Sequence, residues 1–289
     1  MSGYLIIRNL TVRLRSGPVI LRSVSLNVAA GQVHGLVGES GAGKSMIGKA
    51  VLGTLPRALQ ITGGEIWLDG VDLLSLSAAE RRRRIGATAA LIPQDPLTAL
   101  NPSKRIGPQI TRRLIDILGW TKQAAEARAL ELLDEVQIPN AARVMRSYPH
   151  ELSGGMRQRI LIASAFAAEP KLIIADEPTT ALDVTVQKQI LRLIAQMQAR
   201  HGTALLFVTH DLGVVSKVCD TLSVLYAGKV VEEARMQRFF MRPIHSYSRA
   251  LLSATPSYED PLGSLTPVSD TVIEEVEAEV RWHDARAGT

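Results

Sequence analysis

Residues 38–45 run Gly38-Glu39-Ser40-Gly41-Ala42-Gly43-Lys44-Ser45, the spacing of a phosphate-binding loop. The chemistry follows from the residue types. Glycines let main-chain N–H groups turn inward around an anion without a Cβ in the way. Lys44 can reach β- and γ-phosphates, and the Ser45 hydroxyl can ligate Mg²⁺. Further along, Lys171-Leu172-Ile173-Ile174-Ala175-Asp176-Glu177-Pro178 is a hydrophobic run that ends in two adjacent acids. Asp176 suits Mg²⁺, directly or through a water, while Glu177 points elsewhere and can serve as general base toward an attacking water. A third stretch, Leu152-Ser153-Gly154-Gly155-Met156-Arg157-Gln158-Arg159, sets a helix-capping serine before paired glycines. The first N–H groups of such a helix stay open to an anion. Each stretch has a plain alternative: a Gly-rich turn, two solvated acids at a strand end, an ordinary capped helix. The conjunction implies a chain that binds a nucleoside triphosphate with Mg²⁺.

These groups need elements to hold them. Residues 32–37 read as a buried strand and 46–52 as a helix, which puts phosphate at a helix N-terminus. Residues 172–175 and 204–209 read as strands with an amphipathic helix over 186–200 between them, the order a parallel sheet requires. In an open α/β sheet that order delivers the two acids to the edge beside the phosphate loop. Residues 62–70 read as a hairpin strand punctuated by glycines, and 101–168 as mostly helical, with a 3.6-residue period over 123–136. The expected fold class is therefore α/β: a phosphate-loop core over 1–94 and 166–235 with an inserted helical subdomain over 95–165. Residues 236–289 form a C-terminal extension. There Pro256, Pro261 and Pro267 and an acid-rich stretch over 259–279 suggest a mobile or loosely packed tail.

At 289 residues and 46% hydrophobic content the chain buries a sizeable core and is not a disordered protein. No apolar run approaches the length of a membrane span, and the start runs directly into a strand-like segment over 4–8 rather than a signal peptide. The single cysteine, Cys219, excludes an intramolecular disulfide and argues against a cysteine-ligated metal cluster. It reads as a small buried apolar residue within a packing helix. A cytosolic location is the simplest account. The net charge of +5 is modest. Arg81-Arg82-Arg83-Arg84 follows Ser77-Ala78-Ala79-Glu80 as the face of a short helix, and no aromatic residues interleave for base stacking. It reads as a solvated or interface face rather than a nucleic-acid patch.

The order of the motifs resembles the ATP-binding cassette family. That family's pattern is a phosphate loop, a downstream Leu-Ser-Gly-Gly-x-x-Gln-Arg run, then a hydrophobic strand ending Asp-Glu-Pro. Gln94, in Leu91-Ile92-Pro93-Gln94-Asp95-Pro96, looks like the glutamine of the loop entering the helical subdomain, with a simple turn residue as its bland reading. Ala181-Leu182-Asp183 resembles the loop that touches the opposing subunit. His210, after Leu205-Leu206-Phe207-Val208-Thr209, looks like the switch histidine, with a buried core role as the alternative. The resemblance covers about residues 4 to 235. It implies a head-to-tail dimer in which ATP held by Lys44 of one subunit is closed over by Ser153, Gly154 and Gly155 of the other. It further implies Glu177 as catalytic base, His210 on the γ-phosphate, and Gln94 linking Mg²⁺ and water to a membrane partner. One position departs from the family: Leu14 stands where an aromatic ring usually stacks on adenine, so base selectivity is less secure than phosphate binding.

Local features resemble the ATPase subunits of oligopeptide, dipeptide and nickel importers. They include Gln94-Asp95-Pro96-Leu97-Thr98-Ala99-Leu100-Asn101-Pro102 and the stretch from Asp176 to Gln187. Pro243-Ile244-His245-Ser246-Tyr247-Ser248 resembles a Pro-x-His-Pro-Tyr-Thr segment of that subfamily, with Ser246 in place of proline. Some members add a cysteine-rich cluster beyond it, which a chain with one cysteine cannot build. The implied function is the ATP-hydrolysing subunit of a bacterial peptide importer, peripheral on the cytoplasmic face of the inner membrane. Its implied partners are a second ATPase subunit, two membrane permeases and a periplasmic substrate-binding protein, with no nucleic acid. Nickel uptake by the same architecture is the close alternative. A soluble cassette acting on DNA or the ribosome requires a second cassette or long coiled-coil insertions, which the sequence lacks. A regulator without turnover is disfavoured by the intact Glu177 and His210.

Overall fold

The computed structural model describes residues 3–180, 182–255 and 268–287. In chain order the elements begin β1 (Gly3–Leu14), β2 (Val19–Ala29), β3 (Val33–Val37), α1 (Lys44–Val51), β4 (Leu59–Leu68) and β5 (Val71–Asp72). Then follow α2 (Ala78–Thr88), β6 (Ala89–Ile92), α3 (Pro96–Ala99), α4 (Ile106–Asp116), α5 (Lys122–Glu135), α6 (Ala141–Val144) and α7 (Gly154–Phe166). The chain continues through β7 (Leu172–Asp176), α8 (Val184–His201), β8 (Ala204–Thr209), α9 (Leu212–Val218), β9 (Thr221–Tyr226) and β10 (Lys229–Arg235). It ends with α10 (Met236–Met241), α11 (Ser246–Ser253) and α12 (Asp270–Ala287).

The described residues divide into two compact units, one from Met1–Ser75 with Leu206–Thr289, the other Leu76–Leu205. In the first, β1 pairs antiparallel with β2 on one side and β4 on the other, and β4 turns back into β5. Alternating burial along β1 and β2 places Leu10, Val12, Leu21, Val24 and Leu26 on the covered face. Next to this meander, β3 runs parallel to β9, and β10 returns antiparallel to β9. In the second unit β6 and β7 are parallel, and α4, α5 and α7 pack together around Ile110, Leu114, Ala129, Leu132 and Ile162. The architecture is α/β with parallel strands, as the residue pattern implies. Arg81–Arg84 lie on α2, which Ser77 and Glu80 open with a reciprocal capping box.

The acid-rich C-terminal stretch departs from a loose tail. Residues 256–267, with Pro256, Pro261 and Pro267, lie outside the described residues, but from Asp270 the chain is the 18-residue helix α12. Val276 and Val280, one turn apart, are buried, and the flanking acids find cations in the same unit. Asp284 accepts both Nε and Nη2 of Arg22 at 2.8 and 3.0 Å, and Glu279 accepts Lys229 at 2.9 Å. Cys219 sits just past α9 rather than within it, and is buried as expected.

The strand that leads into the phosphate loop carries a buried histidine. His34 on β3 is 0% exposed; its Nδ1 lies 2.8 Å from Thr221 Oγ1 and its Nε2 2.9 Å from Ser223 Oγ, both on β9. Burial lowers its pKa to about 4. The unfolded chain takes up this proton near the ordinary value of about 6.5, so between these two values acid favours unfolding. The contribution is complete above about pH 6.5 and is lost as pH falls toward 4. For this group alone the loss between pH 7.5 and pH 5 is about 2 kcal/mol. Urea unfolding of the parent and of His34→Gln at both pH values measures it. The pH-induced loss should shrink by about that amount in the variant.

Candidate functional site

Within the first unit, β3 is buried at all five positions and delivers the chain to residue 38. A Cβ at Gly38 would lie 2.1 Å from the carbonyl oxygen of Leu225 on β9, so only glycine lets the loop lie this close to the sheet. Gly43 takes φ +99°, in the left-handed region, and turns the chain into α1. No side chain caps α1, and its first turn carries no acid. Its N-terminal dipole is therefore offered to an exogenous anion. Lys44 is only 4% exposed, and its Nζ donates to the Gly38 carbonyl at 2.7 Å and the Glu39 carbonyl at 2.8 Å. The cation is thus folded back over the turn it follows. Ser45 occupies the next position of the same helical turn, while Glu39, Ser40 and Gly41 form the exposed crest of the loop and Ala42 is buried beneath it.

His210 follows β8 in this unit and is exposed, which excludes the buried core role. The backbone beyond it is fixed. Asp211 N donates to Thr209 Oγ1 at 3.1 Å, and Asp211 Oδ1 accepts Val214 N at 3.1 Å to cap α9. Leu14 ends β1 opposite Leu59 and is half-buried.

Within the second unit, the parallel register pairs Ile92 of β6 with Ala175 of β7, so both strands release their chains at one edge. That register brings Gln94 and Glu177, 83 residues apart, into contact. Gln94 Nε2 donates to Glu177 Oε2 at 3.3 Å, and Thr180 Oγ1 donates to the same oxygen at 2.9 Å. Glu177 itself has φ +45°, a conformation costing an L-residue about 1 kcal/mol or more. Behind it, Gln158 of α7 is 0% exposed and donates Nε2 to the Pro178 carbonyl at 2.7 Å. A helix thereby pins the turn that carries the acid.

The same helix starts at the second candidate anion site. Ser153 Oγ accepts Met156 N at 3.3 Å, and Ser153 and Gly154 are exposed. A Cβ at Gly154 would meet nothing within 4 Å, and one at Gly155 only Val186 Cγ1 at 3.8 Å, so this helix start is open to a large ligand. Asp183 Oδ1 accepts Thr185 N and Val186 N, both at 3.0 Å, and caps α8. Ala181 lies outside the described residues.

Within the second unit, Asp176 offers a carboxylate and Gln94 an amide oxygen at one strand edge, and within the first, Ser45 offers a hydroxyl at the start of α1. All are hard oxygen donors. Among the described residues no cluster of three or more His, Cys, Asp or Glu is arranged to hold a metal by itself. Sequence reasoning missed Thr180 and Gln158. Thr180 had a local signal, a hydroxyl three residues past the acid, whereas Gln158 had only a polar residue on the buried face of a helix.

A family model described as ABC transporter matches residues 21–180, and a shorter one, described as AAA domain, putative AbiEii toxin, Type IV TA system, matches 147–216. The chain is 46% identical over 253 residues to the probable D,D-dipeptide transport ATP-binding protein DdpD of Escherichia coli K12, covering 87% of this chain and 77% of that protein. It is 45% identical over 240 residues to the oligopeptide transport ATP-binding protein OppD of Bacillus subtilis 168, covering 83% and 67%. Among solved structures it resembles a dimeric post-hydrolysis state of an ATP-binding cassette bound to ADP and Pi. There the TM-score is 0.70 and the identity 26%, over 80% of this chain and 98% of that one.

Proposed function

This chain belongs to the ABC transporter family, and on that premise we propose that it is the ATP-hydrolysing subunit of a peptide importer. Its reaction is phosphoryl transfer from ATP to water. Lys44 and the uncapped start of α1 bind the phosphates. Ser45, Asp176 and Gln94 would hold Mg²⁺, which would supply neutralisation of phosphate charge. Glu177 takes the proton of the attacking water, and His210 stabilises charge on the γ-phosphate. Ser153, Gly154 and Gly155 serve a nucleotide held by a second ATPase subunit, so each chain contributes both kinds of half-site to a dimer. The observation that carries the reading is Glu177, twisted off the end of β7 with one carboxylate oxygen fixed by Gln94 and Thr180. A carboxylate so oriented is suited to a base whose direction matters more than its burial.

The peptide assignment rests on relatives named as dipeptide and oligopeptide transport proteins. No helix of the described residues is long and apolar enough to cross a membrane. On the strength of relatives named as transport ATP-binding proteins, we place the chain as a peripheral subunit on the cytoplasmic face of a pair of permeases. Co-reconstitution with its permeases and their periplasmic binding protein in proteoliposomes tests this. Short peptides should raise ATP hydrolysis about tenfold, roughly what 1.4 kcal/mol of coupling yields. Stimulation by Ni²⁺ or a nickel chelate with none by peptide overturns the peptide reading in favour of nickel uptake.

A further inference from the structure

The segment Pro243-Ile244-His245-Ser246-Tyr247-Ser248 has no role in the chemistry above, yet it is among the most firmly held parts of the first unit. The Glu232 carboxylate of β10, itself 7% exposed, accepts Ile244 N at 3.0 Å and His245 N at 2.9 Å. His245 Nδ1 accepts Tyr247 N at 3.1 Å to cap α11, and its Nε2 lies 3.3 Å from Glu279 of α12. The product of this scaffolding is the placement of one ring. Tyr247 is 0% exposed and meets Tyr226 edge-on at 4.8 Å between ring centroids.

Tyr226 belongs to the β9–β10 turn, and that turn is the back wall of the phosphate loop. Leu225 O sits where a Cβ of Gly38 would be. Gly228 N donates to Ala42 O at 2.8 Å. Arg22 closes the far side: its N donates to Gly228 O at 2.7 Å and its Nη1 to Ala227 O at 2.6 Å, while Asp284 of α12 holds the rest of the guanidinium. The loop is therefore held at both ends, at Gly38 against β9 and at Ala42 by the turn, and Tyr226 at the end of β9 leans on Tyr247. The crest between those pins is the stretch whose carbonyls hold Lys44.

The Tyr247 hydroxyl is buried and faces the Glu39 carboxylate of the loop crest, its acceptor there. Burial first, and the Glu39 carboxylate as the strongest charge acting on it, push the phenol well above its ordinary range, so it stays a protonated donor.

We propose that Tyr247 is a positioning residue for the phosphate loop, bracing Gly38 and Ala42 through the β9–β10 turn and presenting its hydroxyl to Glu39. The C-terminal elements α11 and α12 are then a brace for the nucleotide site. The inference rests on the nucleotide-binding reading of residues 38–45. The test is titration of the full chain with a fluorescent ATP analogue and Mg²⁺, alongside thermal unfolding without nucleotide. Tyr247→Phe keeps the ring and should raise Kd about three- to tenfold, the span expected for one hydrogen-bonding group, while its apo Tm stays within about 3 °C of the parent's. Glu39→Gln should raise Kd by a similar factor, and the double variant should be no worse than the weaker-binding single one. A merely structural tyrosine moves Tm and Kd together or neither. If the parent binds and Tyr247→Phe binds within twofold of it, or the two substitutions add in full, the inference is overturned alone. A parent that does not retain Mg-ATP overturns the nucleotide reading and this inference with it.

Discussion

Glu177→Gln should lose 10²- to 10⁴-fold in ATP turnover, the usual contribution of a positioned general base, while ATP affinity stays within about threefold of the parent. Glutamine preserves the shape of the side chain and can still accept from Thr180 Oγ1 through its amide oxygen, so the turn after β7 has no reason to move. Nothing in the substitution touches the backbone, and the left-handed conformation at 177 is no more costly for glutamine than for glutamate. What is removed is the carboxylate's charge and with it the capacity to take a proton. With binding intact and turnover stopped, the ATP-bound dimer should accumulate, and size-exclusion chromatography in ATP with and without Mg²⁺ reads it directly. Turnover above about a third of the parent's would move the role of base to another group.

The sequence made the local parts of this arrangement legible and left the assembled parts to resemblance. The strand–loop–helix around Lys44 is contiguous, so its glycines, its cation and the amphipathic run of α1 point to one geometry without help from elsewhere. Ser153 as a cap and the hydrophobic run into Asp176 are legible for the same reason. Gln94 and Glu177 are different. Their contact depends on the parallel register of β6 and β7, which neither segment encodes by itself, and the family resemblance gave each a role without pairing them. Gln158 is harder still, because a polar residue on the buried face of a helix declares its partner, the Pro178 carbonyl, only once the fold is known. The C-terminal helix was misread because acid-rich composition outweighed a sparse signal. Val276 and Val280 are one apolar turn in an 18-residue stretch, and the cations that neutralise Glu279 and Asp284 come from Lys229 and Arg22, about 50 and 260 residues earlier.

Lys44→Ala should abolish ATP binding at concentrations that saturate the parent, a loss of about 100-fold or more in affinity. A buried cation interacting with phosphate is worth several kcal/mol, well above what an exposed pair contributes. Lys44 meets that condition at 4% exposure, and the helix start it crowns has no side-chain cap and no acid to share the work. The lysine also donates to the Gly38 and Glu39 carbonyls, so alanine removes an internal tie of the loop as well as its charge. Lys44→Met loses that tie and the charge alike but keeps an aliphatic stem, so it separates the ammonium's part from that of side-chain packing. Equal loss in both variants places the effect on the ammonium, and a much smaller loss in Met places it on loop packing. Thermal unfolding with saturating Mg-ATP distinguishes this residue from Glu177 without any activity measurement. A ligand present at about 100 times its Kd stabilises the folded state by about 2.7 kcal/mol. The parent and Glu177→Gln should both show that shift and Lys44→Ala should not, because one acid acts after nucleotide is bound and the lysine is what binds it.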